Sequence, residues 1–186
     1  VKRLLEETGA LLHGHFILSS GLHSPEYWQC ARLIERPELC EKVSRALADL
    51  ARRFEPDLVM APALGAVVFG YEVAKFLGAR YVFAERGSNG RMTLRRGFSI
   101  RPGERVLVVE DVVTTGGTTR ELLDLAREAG GEPCAAVAIV DRSGGEVSFS
   151  VPFRALLTVR AVAYKPEECP LCKRGIPPEK PGSRRG

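Results

Sequence analysis

Two adjacent carboxylates, Glu110 and Asp111, stand between an apolar run and a loop of glycines and threonines, Thr114-Thr115-Gly116-Gly117-Thr118-Thr119. The run before them, Val106-Leu107-Val108-Val109, is short and largely β-branched, and reads as a strand buried on both faces. Residues 120–129 read as a helix. A glycine-rich loop that opens a helix presents free backbone N–H groups, and the helix dipole favours negative charge there. Glycines let a phosphate come close, and hydroxyls add donors. The acidic pair changes this reading, because carboxylates repel a phosphate and must serve a neighbouring group, either sugar hydroxyls or a metal ion. A ligand with a phosphate at one end and a diol beside it is a ribose 5-phosphate. The plainer alternative is a strand–turn–helix with solvated acids at its turn. The direct succession of apolar strand, acids and TTGGTT argues against it.

The stretch resembles the phosphoribosyl pyrophosphate (PRPP) motif of the type I phosphoribosyltransferases. It is not a Walker A loop, since no Lys-Ser/Thr follows the glycines, and it is not G-x-G-x-x-G. The resemblance implies a PRPP site made of Glu110, Asp111, Val112, Val113, Thr114, Thr115, Gly116, Gly117 and Thr118. Glu110 and Asp111 would hold the ribose hydroxyls. Thr114 to Thr118 would cradle the 5′-phosphate, with Thr114 also near the base.

The elements that must position this loop fit one domain. The chain has 186 residues, 45% hydrophobic and 27% charged, which suits a single full core. A net charge of +4 accommodates a phosphorylated substrate as readily as nucleic acid. Five cysteines, odd in number and scattered, argue against a disulfide framework. The first residues are charged and amphipathic, with no signal-peptide core, and the longest uncharged run, residues 58–71, is too short to span a bilayer. The expectation is a cytoplasmic protein that engages neither membrane nor nucleic acid.

Residues 2–12 read as a short helix ending near Gly9, followed by two strands, 16–18 and 27–29, around a Ser/Gly/Pro turn. The segment Phe16-x-Leu18-x-Ser20-Gly21-x-x-Ser24, with Tyr27-Trp28 after it, is similar to the N-terminal hood of orotate phosphoribosyltransferases. That resemblance puts Tyr27 and Trp28 beside the pyrimidine ring. Ser19 stands where many members carry a lysine. The bland reading is a hairpin with its aromatics in a satellite core.

Pro37 opens a helix to about residue 54 with an apolar stripe at helical spacing. Residues 58–61 read as a buried strand, and the small-residue loop after it leads into a helix stopped by Gly78. On resemblance, Ala63, Leu64 and Gly65 belong to the loop that holds pyrophosphate. A lysine common there is absent, so backbone N–H groups must suffice. Between strand 81–83 and Ile100 lies a basic, glycine-rich excursion with Arg86, Arg91, Arg95 and Arg96. Its functional reading is a mobile lid that brings positive charge to departing pyrophosphate and excludes water. Its bland reading is a solvated loop. The resemblance agrees with a catalytic lid, although the family's lysines and histidine have no match here. Arg86 fits a basic lid position by its spacing to the acids; the other three are placed by charge. After strand 133–140, Arg142 occupies the spacing at which the orotate family meets the orotate carboxylate; the bland reading is a surface Asp–Arg pair. Residues 147–151 and 155–163 read as closing strands.

The tail from residue 165 is rich in Pro, Gly and charge and lacks the apolar content to fold alone. Cys169-x-x-Cys172 has the spacing of half a zinc site, but no second half is evident; Cys30 or Cys40 would be a guess, and no metal is expected there. The alternation of strands and helices implies an α/β fold with a doubly wound, mostly parallel sheet. One phosphoribosyltransferase domain would span 1–164, with a hood over about 1–36 and a tail over 165–186. The resemblance implies transfer of 5-phosphoribosyl from PRPP to the anionic nitrogen of orotate, giving orotidine 5′-monophosphate and pyrophosphate. It also implies Mg²⁺ held mainly through PRPP, and a homodimer whose lid acts across the interface. Two rivals share the fold: a purine phosphoribosyltransferase, and a PRPP-sensing regulator that binds nucleic acid.

Overall fold

The computed structural model describes residues 1–18 and 21–181. Ser19 and Ser20 of the hood loop, and residues 182–186 of the tail, lie outside the described residues. In chain order the elements are α1 (Lys2–Glu7), β1 (Leu11–Ile17), β2 (His23–Trp28), α2 (Pro37–Ala51), β3 (Leu58–Pro62), α3 (Val67–Leu77), β4 (Arg80–Arg86), β5 (Met92–Leu94), β6 (Arg105–Val113), α4 (Gly117–Glu128), β7 (Glu132–Asp141), β8 (Phe153–Thr158) and α5 (Pro170–Lys173).

Six strands form the central sheet in the order β5-β4-β3-β6-β7-β8, and only the β4–β5 pairing is antiparallel. From β3 the chain moves outward to β4, and it later returns to β3's other side to lay down β6, β7 and β8. The order therefore reverses between β3 and β6, and in such sheets the crevice at the carboxyl ends of those strands is the ligand position. The sequence places the small-residue loop after β3 and the acidic pair at the end of β6, so both meet there.

Strand alternation explains why β6 is apolar throughout. Leu107 and Val109 join one buried cluster with Leu47, Phe69 and Val73 of α2 and α3, whereas Val106 and Val108 join another with Leu122, Leu123 and Ala126 of α4. Helices thus cover both faces, as expected of a doubly wound sheet. Helix α2 starts with Pro37 at its first turn, and α3 ends on Gly78 at φ 69°, a left-handed cap whose N–H reaches the carbonyls of Ala74 and Lys75.

Several boundaries differ from the sequence reading. Helix α1 ends at Glu7, and the hairpin strands start at Leu11 and His23, pairing Ile17 with His23 and Leu11 with Trp28. Residues 147–151 form no strand. They run as a strap over the start of α4, with Phe149 against Gly116 and the Arg120 guanidinium 5.3 Å from the Phe149 ring centre. Strand β8 stops at Thr158, after which the chain crosses the hood: Tyr164 and His23 exchange two backbone hydrogen bonds of 2.8 Å. The tail also docks. Ile17 N–H donates to Glu179 and Glu179 N–H donates to His15, so tail segments flank both edges of the hairpin.

Candidate active site

The end of β6, the loop after it and the first turn of α4 line a cavity of about 380 Å³, together with Pro62 at the end of β3, Ala63 and Gly65 from the loop after β3, and Arg86 and Met92 from the β4–β5 hairpin. All nine residues from Glu110 to Thr118 border it. Two glycines are fixed by what surrounds them. Gly116, the residue before α4, has φ 76°, and a Cβ there would lie 2.8 Å from the Phe149 ring. Gly65 faces the acidic pair, where a Cβ would lie 2.5 Å from Asp111 Oδ2. The loops after β3 and β6 are therefore in contact, and any larger residue at Gly65 would displace the carboxylate. The Ala63–Leu64 peptide is cis, and the Leu64 side chain is 84% exposed.

Glu110 is buried, with the Thr119 hydroxyl 3.5 Å from its Oε1. Burial raises its carboxyl pKa well above the ordinary range, and the Asp111 charge raises it further, while Thr119 and the Asp111 backbone oppose the shift. Burial also raises Asp111, whose Oδ1 accepts the Val112 N–H at 2.9 Å. Two such acids need an incoming donor set or a cation to become comfortably anionic.

With its pKa raised on folding, Glu110 retains a proton in the folded state over a pH range where the unfolded chain has lost it. Its contribution to stability is complete below the unfolded pKa, near about 4.3, and is lost as pH rises through the folded value. Glu110→Gln should therefore melt several degrees above the parent at neutral and higher pH in the ligand-free state, with the gap closing near about pH 4. Parallel melting curves across that range would sink the assignment.

The basic excursion is a short hairpin rather than an open loop: β5 pairs with β4, setting Arg86 opposite Met92. Arg86 alone of its four arginines lines the cavity. Its Nη1 donates to Glu121 Oε2 at 3.1 Å and to the Gly90 carbonyl, and Glu121 also accepts the Met92 N–H at 3.2 Å. Arg96 forks onto Glu85 at 2.9 and 3.0 Å, and Arg91 lies 3.5 Å from Glu128. These two are committed to exposed ion pairs, and Arg95 is exposed with no cavity contact.

Arg142 is buried, and so is Asp141, so the pair is not a surface feature. The Asp141 carboxylate is occupied instead by the N–H and hydroxyl of Ser143, at 2.8 and 2.7 Å. Arg142 N–H donates to the carbonyl of Val113, a cavity residue, which ties it to the end of the PRPP-like loop. Its Nε and Nη2 have no hydrogen-bond partner among the described residues, and burial depresses its pKa against the opposing effect of Glu26 and Tyr27. A buried guanidinium with two unmatched donors suits an arriving anion.

Tyr27 and Trp28 are neighbours on one strand and so point to opposite sides. Tyr27 is within electrostatic reach of Asp111 and Arg142: burial raises its pKa, Asp111 adds to the rise and Arg142 opposes it. Trp28 lies in the core cluster with Leu5, Leu33 and Val43, which departs from the expected aromatic pair beside one ring. Glu121 escaped the sequence reading, and Thr119, part of the loop it singled out, was given no role toward Glu110. Glu121 falls one turn into the helix that follows the phosphate-type loop, where the helix dipole favours an acid in any case, so its type and position carried no distinct signal.

Residues 31–159 match the phosphoribosyl transferase domain family. An orotate phosphoribosyltransferase of Thermotoga petrophila is 55% identical over 184 residues, covering 99% of this chain and 98% of that protein. Among solved structures, the orotate phosphoribosyltransferase from Aeropyrum pernix is similar with a TM-score of 0.71 and 25% identity, over 85% of this chain and 93% of that one. The adenine phosphoribosyltransferase of Rhodothermus marinus has a TM-score of 0.66 at 22% identity, over 86% of this chain and 100% of that one, so the fold by itself does not select the base. The chain belongs to the phosphoribosyl transferase family, and within it to the orotate phosphoribosyltransferases.

Proposed function

We propose that this chain transfers the 5-phosphoribosyl group of PRPP to orotate, forming orotidine 5′-monophosphate and pyrophosphate as a step of pyrimidine nucleotide synthesis. The observation that carries the choice of base is Arg142, buried at the carboxyl end of β7 with two unmatched donors. A purine offers no carboxylate to satisfy them. The orotate carboxylate would take the guanidinium, and Tyr27, on the hood strand facing Asp111 and Arg142, would border the ring.

The 5′-phosphate would rest on the backbone of Thr114 to Thr118, where α4 begins. Glu110 and Asp111 would accept from the ribose hydroxyls. Ala63, Leu64 and Gly65 would offer backbone donors to the pyrophosphate, in keeping with a Leu64 side chain that points to solvent. The bond from orotate nitrogen to the anomeric carbon forms as the bond to pyrophosphate oxygen breaks. No protein nucleophile is needed, and rate comes from alignment and from charge set against the leaving group. The cavity lining holds two carboxylates, hydroxyls and backbone groups, with no His or Cys, which fits a hard cation such as Mg²⁺ arriving with PRPP. Bound there, Mg²⁺ would offset the charge on the departing diphosphate. Arg86 would add to that by exchanging Glu121 for phosphate oxygens.

A homodimer with the lid reaching the neighbouring site belongs to the same reading. Val68 and Tyr71, both exposed on α3 beside the pyrophosphate loop, are apolar surface available for it. A cytoplasmic setting accords with five free cysteines, and among the described residues no helix is long and apolar enough to cross a membrane.

A spectrophotometric panel of orotate, uracil, adenine and hypoxanthine with PRPP and Mg²⁺ tests the function. Turnover of orotate alone is the expected result. Turnover of a purine without orotate would transfer the assignment to another base.

A further inference from the structure

A second cluster of chemically active side chains lies outside the substrate cavity, where the tail meets the hood. His15 of β1 and His23 of β2 are both buried, and Cys169 and Cys172 reach them from the tail. His15 Nε2 is 2.8 Å from His23 Nδ1, 3.4 Å from Cys169 Sγ and 3.8 Å from Cys172 Sγ, and Cys172 Sγ is 3.3 Å from His23 Nδ1. All four ligand atoms lie within 4.8 Å of one another. With metal–nitrogen bonds of about 2.0 Å and metal–sulfur bonds of about 2.3 Å, the edges of a tetrahedral zinc site are about 3.3–3.8 Å. Small side-chain movements would bring the four atoms to that geometry.

Two further observations point the same way. His15 Nδ1 is 2.7 Å from the Ile176 carbonyl, which can only accept, so the ring proton is on Nδ1 and the Nε2 lone pair faces the cluster. A backbone carbonyl orienting a histidine through its second nitrogen is the usual support of a metal ligand. The tail, moreover, has little else to hold it: among described residues 165–181, Cys169 alone is buried, at 0% exposure. A segment so poor in apolar contacts does not order itself by packing. Cys30 and Cys40 lie in the core cluster of α2 and the hood, away from this group.

We propose that His15 Nε2, His23 Nδ1, Cys169 Sγ and Cys172 Sγ form a structural zinc site that fastens the carboxyl-terminal segment to the N-terminal hairpin. The donor set of two thiolates and two imidazoles suits Zn²⁺ and is wrong for Mg²⁺, and four protein ligands leave no open position for catalysis. Both thiols ionise as the ion enters, so one Zn²⁺ bound releases two protons. The site does not depend on which base the enzyme uses.

Protein purified without chelator should carry one zinc per chain by elemental analysis, whether or not PRPP is present. Cys169→Ser/Cys172→Ser should lose it, whereas Glu110→Gln should keep it, which separates this ion from one in the substrate cavity. If the double variant fails to fold, the parent protein stripped of zinc still decides the matter. Cobalt titration should then give the intense visible bands of a tetrahedral ion and thiolate-to-cobalt charge transfer, saturating at one equivalent. Absence of zinc together with a weak octahedral cobalt spectrum would overturn the proposal. So would a Cys169–Cys172 disulfide found by mass spectrometry in freshly isolated protein.

Discussion

Arg142→Ala should raise the Michaelis constant for orotate by roughly 30- to 150-fold, the equivalent of about 2–3 kcal/mol for a lost charge-assisted hydrogen bond. The constant for PRPP should change little. Uracil, which lacks the carboxylate, should stay inactive with the variant as with the parent, so the change in the orotate constant set against that for PRPP is the sharpest readout. A folding defect can be told apart from this. The Arg142 guanidinium is buried with unmatched Nε and Nη2 in the free protein, so its removal relieves a desolvation cost while opening a void. The melting temperature should hold near the parent's. Equal losses for both substrates would count against a carboxylate-binding role.

The second large effect is expected at Arg86, the lid arginine that reaches the cavity. Arg86→Gln should lower kcat by about 10²–10³-fold, the usual cost of removing one charged donor from a transition state. Michaelis constants should move far less, because the interaction forms as pyrophosphate departs. In the free protein Arg86 is held by Glu121 in an ion pair with both side chains substantially exposed. Such a pair is worth about 1 kcal/mol or less, so the exchange of Glu121 for phosphate is inexpensive. Arg91→Gln and Arg96→Gln, whose partners are Glu128 and Glu85, provide the contrast. Unchanged kcat in Arg86→Gln would refute the lid assignment.

What was legible in the chain was what local chemistry encodes. Strand β6, the acids at its end and the Gly/Thr loop are contiguous, and their roles follow from adjacency. Arg142 could be singled out because it stands at the end of an apolar strand one step further along. Pairwise facts over long separations were less accessible. The exposure of Leu64 and the contact of Gly65 with Asp111 depend on two loops about 45 residues apart meeting at the point where strand order reverses. Trp28 follows strand alternation: consecutive strand residues face opposite ways, so of Tyr27 and Trp28 only one can face the base while the other enters the core. Residues 147–151 alternate apolar and small polar side chains like a strand. Their apolar members cover α4 and the Gly116 turn instead of entering a ladder. The histidines that meet Cys169 and Cys172 were hidden because a hairpin drawn to start at residue 16 leaves His15 and His23 outside its strands.

The threading of the tail along both edges of the hood hairpin bears on the order in which the molecule is made. An isolated two-stranded hairpin is marginal in water. Among the described residues, the bridges that pair the outer edges of this one come from Tyr164 and Glu179, near the other end of the chain. During synthesis the sheet from β3 to β8 can assemble as its strands emerge and take up Leu11 and Trp28 of the hairpin, while the hairpin's outer edges stay unpaired until residues made last. The outer edges of the wall that carries Tyr27 are therefore the last to be paired. A nascent chain stalled before residue 164 would hold a finished phosphate cradle under a hairpin whose edges are open.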